Sequence, residues 1–301
     1  MTIKKFGVLG TGQMGAGIAQ VAAQSGLDVI MADINLDIAK KGAAGIEKLL
    51  AKGVEKGKVK PEEKDAVMAR LHPVASMAEL KDCDFVVEAA TEKLDLKVDL
   101  FKKLDETCRP GIILATNTSS ISITLMAGAT KRPDKVIGMH FMNPVPVMKL
   151  VEIIRGLQTD DETYRATKEL SEKFGKTVVT SKDSPGFIVN KILTPLLNEA
   201  CYSLMEGIAS AEDIDNAIKL GLNHPMGPLT LADLIGLDTI LAIAEVLYRD
   251  LGDPKYRPAL SCASTSRPDG WAGRPGADFT STRYLPGKIC KIYLQIFRTG
   301  K

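Results

Sequence analysis

The sequence is poor in features of secreted or metal-binding proteins. It has five cysteines without paired or metal-type spacing, and the N-terminus lacks the apolar core of a signal peptide. An odd number of cysteines without a secretion signal indicates a reducing compartment. We therefore expect a cytoplasmic protein without a metal site.

Long apolar runs and an excess of one charge are also missing. No apolar stretch reaches the ~18 residues of a transmembrane helix, so no membrane is expected as partner. The formal net charge is +2, which gives no indication of nucleic acid binding. Hydrophobic residues make up 45% of 301 residues, enough for two domains with proper cores.

The first motif follows the apolar segment from Phe6 to Leu9, which predicts a buried strand. A G-x-G-x-x-G pattern comes next, then a helix of small residues, and a second apolar segment ends in Asp33. This context predicts a dinucleotide whose pyrophosphate lies at the helix N-terminus and whose ribose hydroxyls donate to Asp33. The expected contacts in the motif are Gly10, Gly12, Gln13, Met14 and Gly15.

The acid after the second strand also indicates which dinucleotide binds. A carboxylate at Asp33 repels the 2′-phosphate of NADP, and no arginine follows it directly. The sequence thus favours NAD, although Lys40 and Lys41 lie not far downstream and leave NADP open.

The first part of the chain alternates between short apolar segments and amphipathic segments. This alternation predicts an α/β fold with a Rossmann-type, doubly wound, mainly parallel sheet. Strands are predicted over residues 4–9, 28–33, 84–88, 112–116, 135–140, 150–154 and 177–180. Helices are predicted over residues 38–56, 61–70, 93–107 and 160–174.

After Pro185 and Gly186 only helical periodicity remains. One helix is predicted over residues 188–205, a second after the N-cap Ser210 and a third after Pro228. The expected regions are an NAD-binding Rossmann domain, a smaller all-α substrate and dimerisation domain, and an irregular tail. They span residues 1–184, 185–260 and 261–301.

A possible acid–base pair lies where predicted strands end, which is where open α/β sheets bind ligands. His140 ends one strand and Glu152 lies in the next. An acid on a neighbouring strand orients an imidazole through one ring nitrogen, and the other nitrogen then exchanges a proton with a substrate oxygen. A structural histidine and a solvent-facing Glu152 fit the same residues, and so do loop positions for His72 and His224 before prolines.

Six ordered motifs resemble those of the 3-hydroxyacyl-CoA dehydrogenase family, especially its short bacterial members, the 3-hydroxybutyryl-CoA dehydrogenases. They occupy residues 10–15, 87–92, 117–120, 138–144 with 148–152, 185–190 and 223–228. The resemblance implies NAD-dependent oxidation of a coenzyme A ester, with His140 as base and Glu152 orienting it. It also implies a homodimer.

The same resemblance implies further contacts. Those with the substrate involve the hydroxyl of Ser119, the amides of Asn143 and Asn190, and the coenzyme A phosphate ligands Lys52 and Lys56. Those with the cofactor involve Glu92, Lys97 and Asn117. From the residues alone, Ser119 fits an N-cap of a helix starting near Ile121, and the lysines fit a solvated basic face.

Two other classes of function stay open at this point. One is a related hydroxyacid dehydrogenase of L-gulonate or 3-hydroxyisobutyrate type, the latter with a catalytic lysine for which Lys191 is the candidate. The other is a non-catalytic NAD-binding protein, which binds the cofactor without turnover.

The resemblance is expected to end near Leu260. Codons can be chosen for residues 261–280 so that the frame starting one base earlier encodes the segment typical of the family. We therefore hypothesise a shifted reading frame after Leu260, which puts the homodimer in doubt. Sequencing the gene across this point tests the hypothesis.

Overall fold

The computed structural model describes residues 2–259, which form two compact units. The first ends at Phe187 and the second begins at Ile188. The predicted irregular tail, residues 261–301, lies outside the described residues.

One eight-stranded sheet forms the centre of the first unit. Its strands are β1 (Lys5–Leu9), β2 (Asp28–Ala32), β3 (Leu71–Val74), β4 (Phe85–Glu88), β5 (Ile113–Thr116), β6 (Val136–Phe141), β7 (Leu150–Arg155) and β8 (Thr177–Lys182). They lie in the order β3-β2-β1-β4-β5-β6-β7-β8, and all neighbours pair in parallel except β6 with β7. The predicted Rossmann-type, mainly parallel sheet is confirmed.

Helices give this sheet two apolar cores. They are α1 (Gln13–Gln24), α2 (Leu36–Glu55), α3 (Pro61–Met68), α4 (Leu94–Thr107), α5 (Ile123–Gly128) and α6 (Asp161–Lys173). In β4, Phe85 and Val87 belong to one core and Val86 to the other. Alternation of this kind explains why the strands are almost continuously apolar, since both faces are buried.

Two local predictions in this unit are wrong. His72 and Pro73 lie in β3, not in a loop. Strand β3 is at the edge of the sheet and pairs only with β2, and an edge strand tolerates a proline that donates no hydrogen bond. The helix expected near Ile121 begins at Ile123, and its N-cap is Ser122.

The second unit is helical in its described part. It contains α7 (Val189–Met205), α8 (Ala211–Gly221), α9 (Pro228–Ile235) and α10 (Leu237–Leu251). Ser210 caps α8 as predicted, but the segment after Pro228 forms two helices because Gly236, at a φ of 101°, interrupts it. Asn198 binds the backbone at Arg257 and Ala259 and so fixes the last described residues.

Between residues 2 and 259, no helix is long and apolar enough to cross a membrane. The same part of the chain holds no cluster of side chains suited to a metal ion.

Candidate active site

The glycine-rich turn after β1 allows close backbone approach. Gly10 has a φ of +93°, and a Cβ there would lie 2.7 Å from the Ala89 carbonyl oxygen. A Cβ at Gly15 would lie 1.8 Å from the Gly10 carbonyl oxygen, which excludes any side chain. Gly12, the N-cap of α1, instead faces open space, with nothing within 4 Å of an added Cβ.

The carboxylate after β2 completes this turn. Asp33 Oδ2 accepts hydrogen bonds from the Thr11 amide at 2.6 Å and the Thr11 hydroxyl at 2.7 Å, and Oδ1 accepts from the Ile34 amide at 2.8 Å. Since a carboxylate has about four acceptor positions, Oδ1 can also accept from a ribose hydroxyl. The open space at Gly12, the N-terminus of α1 and Asp33 together fit a bound NAD.

The two residues of the possible acid–base pair lie directly opposite each other. The antiparallel register of β6 and β7 pairs His140 with Glu152, and His140 Nδ1 is 2.8 Å from Glu152 Oε2. Glu152 is 0% exposed and His140 is 6% exposed, so the solvent-facing interpretation of Glu152 is wrong.

The contact with Glu152 also determines the tautomer of His140. A carboxylate only accepts hydrogen bonds, so Nδ1 donates and Nε2 is the basic nitrogen. No atom of residues 2–259 hydrogen-bonds to Nε2. That nitrogen can therefore accept a proton from a ligand.

Phe187 packs against the catalytic candidate and was missed in the sequence. Its ring centroid lies 5.7 Å from that of His140, with the rings at 62°. Phe187 is buried and has a φ of +50°, which is unusual for a bulky residue and marks local strain. Its position directly after the Pro185-Gly186 dipeptide was the available sequence signal.

The loop after β5 carries Ser119, and Glu92 holds it. Glu92 Oε1 accepts hydrogen bonds from the Ser119 amide at 2.9 Å and from the hydroxyls of Thr118, Ser119 and Ser120. Burial raises the pKa of Glu92, but the Lys97 ammonium and the bonds from Thr118 and Ser119 outweigh it and lower the pKa below its usual range. Since Ser122 caps α5, Ser119 is not its N-cap.

Two asparagines connect the site segments. Asn117 Oδ1 accepts from the Phe141 amide at 2.9 Å and so joins the end of β5 to the strand that carries His140. Asn143 Oδ1 accepts from Gln13 Nε2 at 3.1 Å, which links the loop after β6 to the glycine-rich motif.

The chain matches two family descriptions, in the same order as its two units. "3-Hydroxyacyl-CoA dehydrogenase, NAD binding domain" matches residues 5–184, and "3-hydroxyacyl-CoA dehydrogenase, C-terminal domain" matches residues 186–274. The chain belongs to the 3-hydroxyacyl-CoA dehydrogenase family. The second match continues past residue 260, where we expected the resemblance to end.

Relatives in the family cover most of the chain. A probable 3-hydroxybutyryl-CoA dehydrogenase of Deinococcus radiodurans is 56% identical over 255 residues, which is 85% of this chain and 91% of the relative. A 3-hydroxybutyryl-CoA dehydrogenase of Bradyrhizobium diazoefficiens is 51% identical over 272 residues, 90% of this chain and 92% of the relative.

Solved structures of the family have the same architecture. The crystal structure of an (S)-3-hydroxybutyryl-CoA dehydrogenase from Ralstonia eutropha matches with a TM-score of 0.84 at 52% identity, covering 86% of this chain and 92% of that one. NAD is therefore the cofactor that the family's first domain binds, over the residues that carry the glycine-rich turn and the His140–Glu152 pair.

Three other residues that the resemblance singled out lie away from this edge of the sheet or in the second unit. Lys52 is in the last turn of α2 and Lys56 is its C-cap, and both are exposed to solvent. Asn190 is in the first turn of α7, in the second unit.

Proposed function

We propose that this chain catalyses the NAD-dependent oxidation of (S)-3-hydroxyacyl-CoA, with 3-hydroxybutyryl-CoA as the expected substrate, and the reverse reduction of acetoacetyl-CoA. The observation that carries the proposal is the buried His140–Glu152 contact of 2.8 Å at the carboxyl end of the sheet, in a member of this family.

The geometry of the pair supports a specific path for the proton transfer. In the oxidation, His140 Nε2 removes the proton of the substrate 3-hydroxyl while Nδ1 keeps its hydrogen bond to Glu152. The carboxylate of Glu152 stabilises the imidazolium that forms, as in other carboxylate–histidine pairs. In the reduction, Nε2 returns the proton to the 3-oxygen. Bound NAD supplies the hydride acceptor for this chemistry.

Polar residues of the first unit complete the proposed site. We assign the Ser119 hydroxyl to the substrate 3-oxygen, the Asn143 amide to a substrate contact, and Glu92 to the ribose region of the cofactor. The substrate contact that the family resemblance implies for Asn190, in the second unit, stays a prediction. Asn117 is assigned to the cofactor side of the same edge, next to the strand that carries His140.

A coenzyme A ester explains more of the chain than a free hydroxy acid does. Lys52 and Lys56 are four residues apart and exposed, so both ammonium groups can reach one set of phosphates. A dehydrogenase that relied on Lys191 would leave the His140–Glu152 contact without a role. The homodimer and the cytoplasmic location stay predictions.

The test is the loss of NADH when the purified chain is mixed with acetoacetyl-CoA. We expect turnover with acetoacetyl-CoA and a rate lower by orders of magnitude with free acetoacetate, because binding energy from the coenzyme A moiety contributes to catalysis. NADPH should be the poorer reductant because of Asp33. A chain that binds NADH but does not turn over acetoacetyl-CoA, with its tail as it is or with the frame restored, contradicts the proposal.

A further inference from the structure

A second buried charged pair lies in the first unit, and the proposed proton transfer does not use it. Glu88 ends β4 and is 0% exposed, and Lys97 in the first turn of α4 is 1% exposed. Lys97 Nζ donates to the two carboxylate oxygens of Glu88 at 2.7 and 2.9 Å and to the Ala90 carbonyl oxygen at 3.3 Å. An ammonium has three hydrogens, so protein acceptors occupy all of them.

Hydrogen bonds also fill the acceptor positions of the Glu88 carboxylate. It also accepts from the Ala90 amide at 2.6 Å and from the Thr116 hydroxyl at 2.7 Å. With the two bonds from Lys97, its roughly four acceptor positions are filled. The Thr116 oxygen in turn accepts from the Thr118 amide at 3.1 Å, so the pair reaches the start of the Ser119 loop.

Lys97 also contacts the carboxylate of Glu92, which binds the Ser119 loop. Lys97 Nζ lies 3.4 Å from Glu92 Oε2, and Glu92 Oε1 accepts from the amide and the hydroxyl of Ser119 at 2.9 and 3.3 Å. A continuous set of charged contacts therefore runs from Glu88 through Lys97 and Glu92 to Ser119.

Orientation of the Glu92 carboxylate explains the Glu88–Lys97 pair better than a contribution to folding stability does. Replacing a buried ion pair by apolar side chains of similar volume is often neutral for folding, so the Glu88–Lys97 pair is weak evidence of a stabilising role. Apolar side chains cannot orient the Glu92 carboxylate, which is 38% exposed and has water as a competing partner.

We propose that the Glu88–Lys97 pair positions Ser119 for the reaction by fixing Glu92. Lys97 is then a positioning residue for Ser119, and the contact with the cofactor ribose that the family resemblance implies for it stays a prediction. The inference rests on the proposed function in one respect, namely that the Ser119 hydroxyl binds the substrate 3-oxygen.

The experiment compares Lys97→Met with the double variant Glu88→Gln/Lys97→Met. The single variant leaves a buried carboxylate without its cation, which is strongly destabilising, whereas the double variant removes both charges and should fold. For the double variant, at saturating NADH, we expect kcat for acetoacetyl-CoA reduction to fall by about 10- to 100-fold, as for a small misplacement of a catalytic group.

Two further variants separate positioning from a general structural effect. Lys103→Met removes an exposed lysine of the same helix, paired with Asp99, and should change neither kcat nor the NADH Kd. Adding Glu88→Gln/Lys97→Met to a Ser119→Ala background should lower kcat little further, because both changes act on the same hydroxyl. Additive losses, or an unchanged kcat at saturating NADH, overturn the proposal.

A readout without substrate distinguishes failure of this inference from failure of the proposed function. The double variant should increase amide hydrogen exchange of Ser119 and Ser120 well above that of Lys103→Met, because Glu92 no longer holds both amides in one orientation. Unchanged exchange at these amides contradicts the positioning role even if the wild-type chain proves inactive with acetoacetyl-CoA.

Discussion

The two buried ionisable pairs of the first unit have nearly the same length, and we propose different uses for them. His140 Nδ1 lies 2.8 Å from Glu152, and Lys97 Nζ lies 2.7 Å from Glu88. In the lysine pair, protein partners occupy every hydrogen of the ammonium. In the histidine pair, Nε2 has no hydrogen bond from residues 2–259. Burial and pairing alone therefore do not distinguish the two pairs, and the catalytic role proposed for His140 rests on its unused basic nitrogen.

The way each pair is built fits its proposed use. His140 and Glu152 face each other across two antiparallel strands, so the sheet register itself fixes the imidazole. Lys97 reaches the end of β4 on a long flexible stem from a helix, and its contacts with Glu88, Ala90 and Glu92 hold it in place. A strand pair can present a reactive atom, whereas the lysine pair uses all its contacts to hold its surroundings.

The largest loss of kcat is expected when Nε2 of His140 is removed. His140→Gln keeps a side chain of similar size but cannot accept a proton, so kcat should fall by roughly 10³- to 10⁴-fold, the upper part of the range for general acid–base catalysis. The NADH Kd should stay within about twofold because the glycine-rich turn is untouched. Steady-state rates and a fluorescence titration with NADH measure the two quantities.

A smaller loss is expected when the partner changes and His140 stays. In Glu152→Gln the amide can donate to Nδ1, which moves the imidazole proton to Nε2 and removes the basic nitrogen. We expect a loss of about 100-fold in 3-hydroxybutyryl-CoA oxidation, at the low end of the range for acid–base catalysis, and a smaller loss in acetoacetyl-CoA reduction. Equal activity of Glu152→Gln and wild type in both directions would show that the pair is structural.

The ring of Phe187 should matter less than either member of the pair. Phe187→Leu keeps an apolar side chain but removes the edge contact with His140, and we expect kcat to fall about tenfold through a less well held imidazole. Phe187→Gly removes the cost of the positive φ and should still be slower than Phe187→Leu. A faster glycine variant would mean that backbone strain, and not the ring, is what matters.

The smallest change in rate is expected at a second buried lysine, whose hydrogen-bond partners among residues 2–259 are carbonyl oxygens. Lys176 Nζ donates to the carbonyl oxygens of Val145 and Met148, in the loop that carries Asn143. Lys176→Met leaves these oxygens unpaired, so the free energy of unfolding should fall by about 1–3 kcal/mol while kcat changes only a few-fold.

The pH dependence of this variant has a definite sign. Burial lowers the pKa of Lys176 from 10.5, so the unfolded chain binds the proton more tightly than the folded chain does. The contribution of Lys176 to stability is therefore complete above pH 10.5 and is lost as the pH falls through the lowered pKa. The deficit of Lys176→Met, measured by denaturant unfolding, should be larger at high pH than at neutral pH.

The contact between His140 and Glu152 could be predicted from sequence, and the contact between Lys97 and Glu88 could not. His140 and Glu152 lie on consecutive apolar segments, so a local pattern brings them together. The contact of Lys97 with Glu88 depends on how α4 returns over the end of β4, which no periodicity in the sequence specifies. Phe187 was missed for a similar reason, since its contact with His140 spans many residues of chain.

Element boundaries were predicted best where burial dominates. The central strands lie within a residue or two of the predicted bounds because both of their faces are apolar. The edge strand β3 was missed because Pro73 lies within it, and the break between α9 and α10 was missed because Gly236 interrupts an otherwise continuous helical pattern.

The most direct test of the account is a single-turnover measurement of NADH oxidation by acetoacetyl-CoA, at saturating NADH, for wild type, His140→Gln and Glu88→Gln/Lys97→Met side by side. The account predicts a loss of at least about 10³-fold for His140→Gln and of no more than about 100-fold for the double variant. Equal losses in the two variants, or wild-type turnover by His140→Gln, would contradict the assignment of the chemistry to the unused nitrogen of His140.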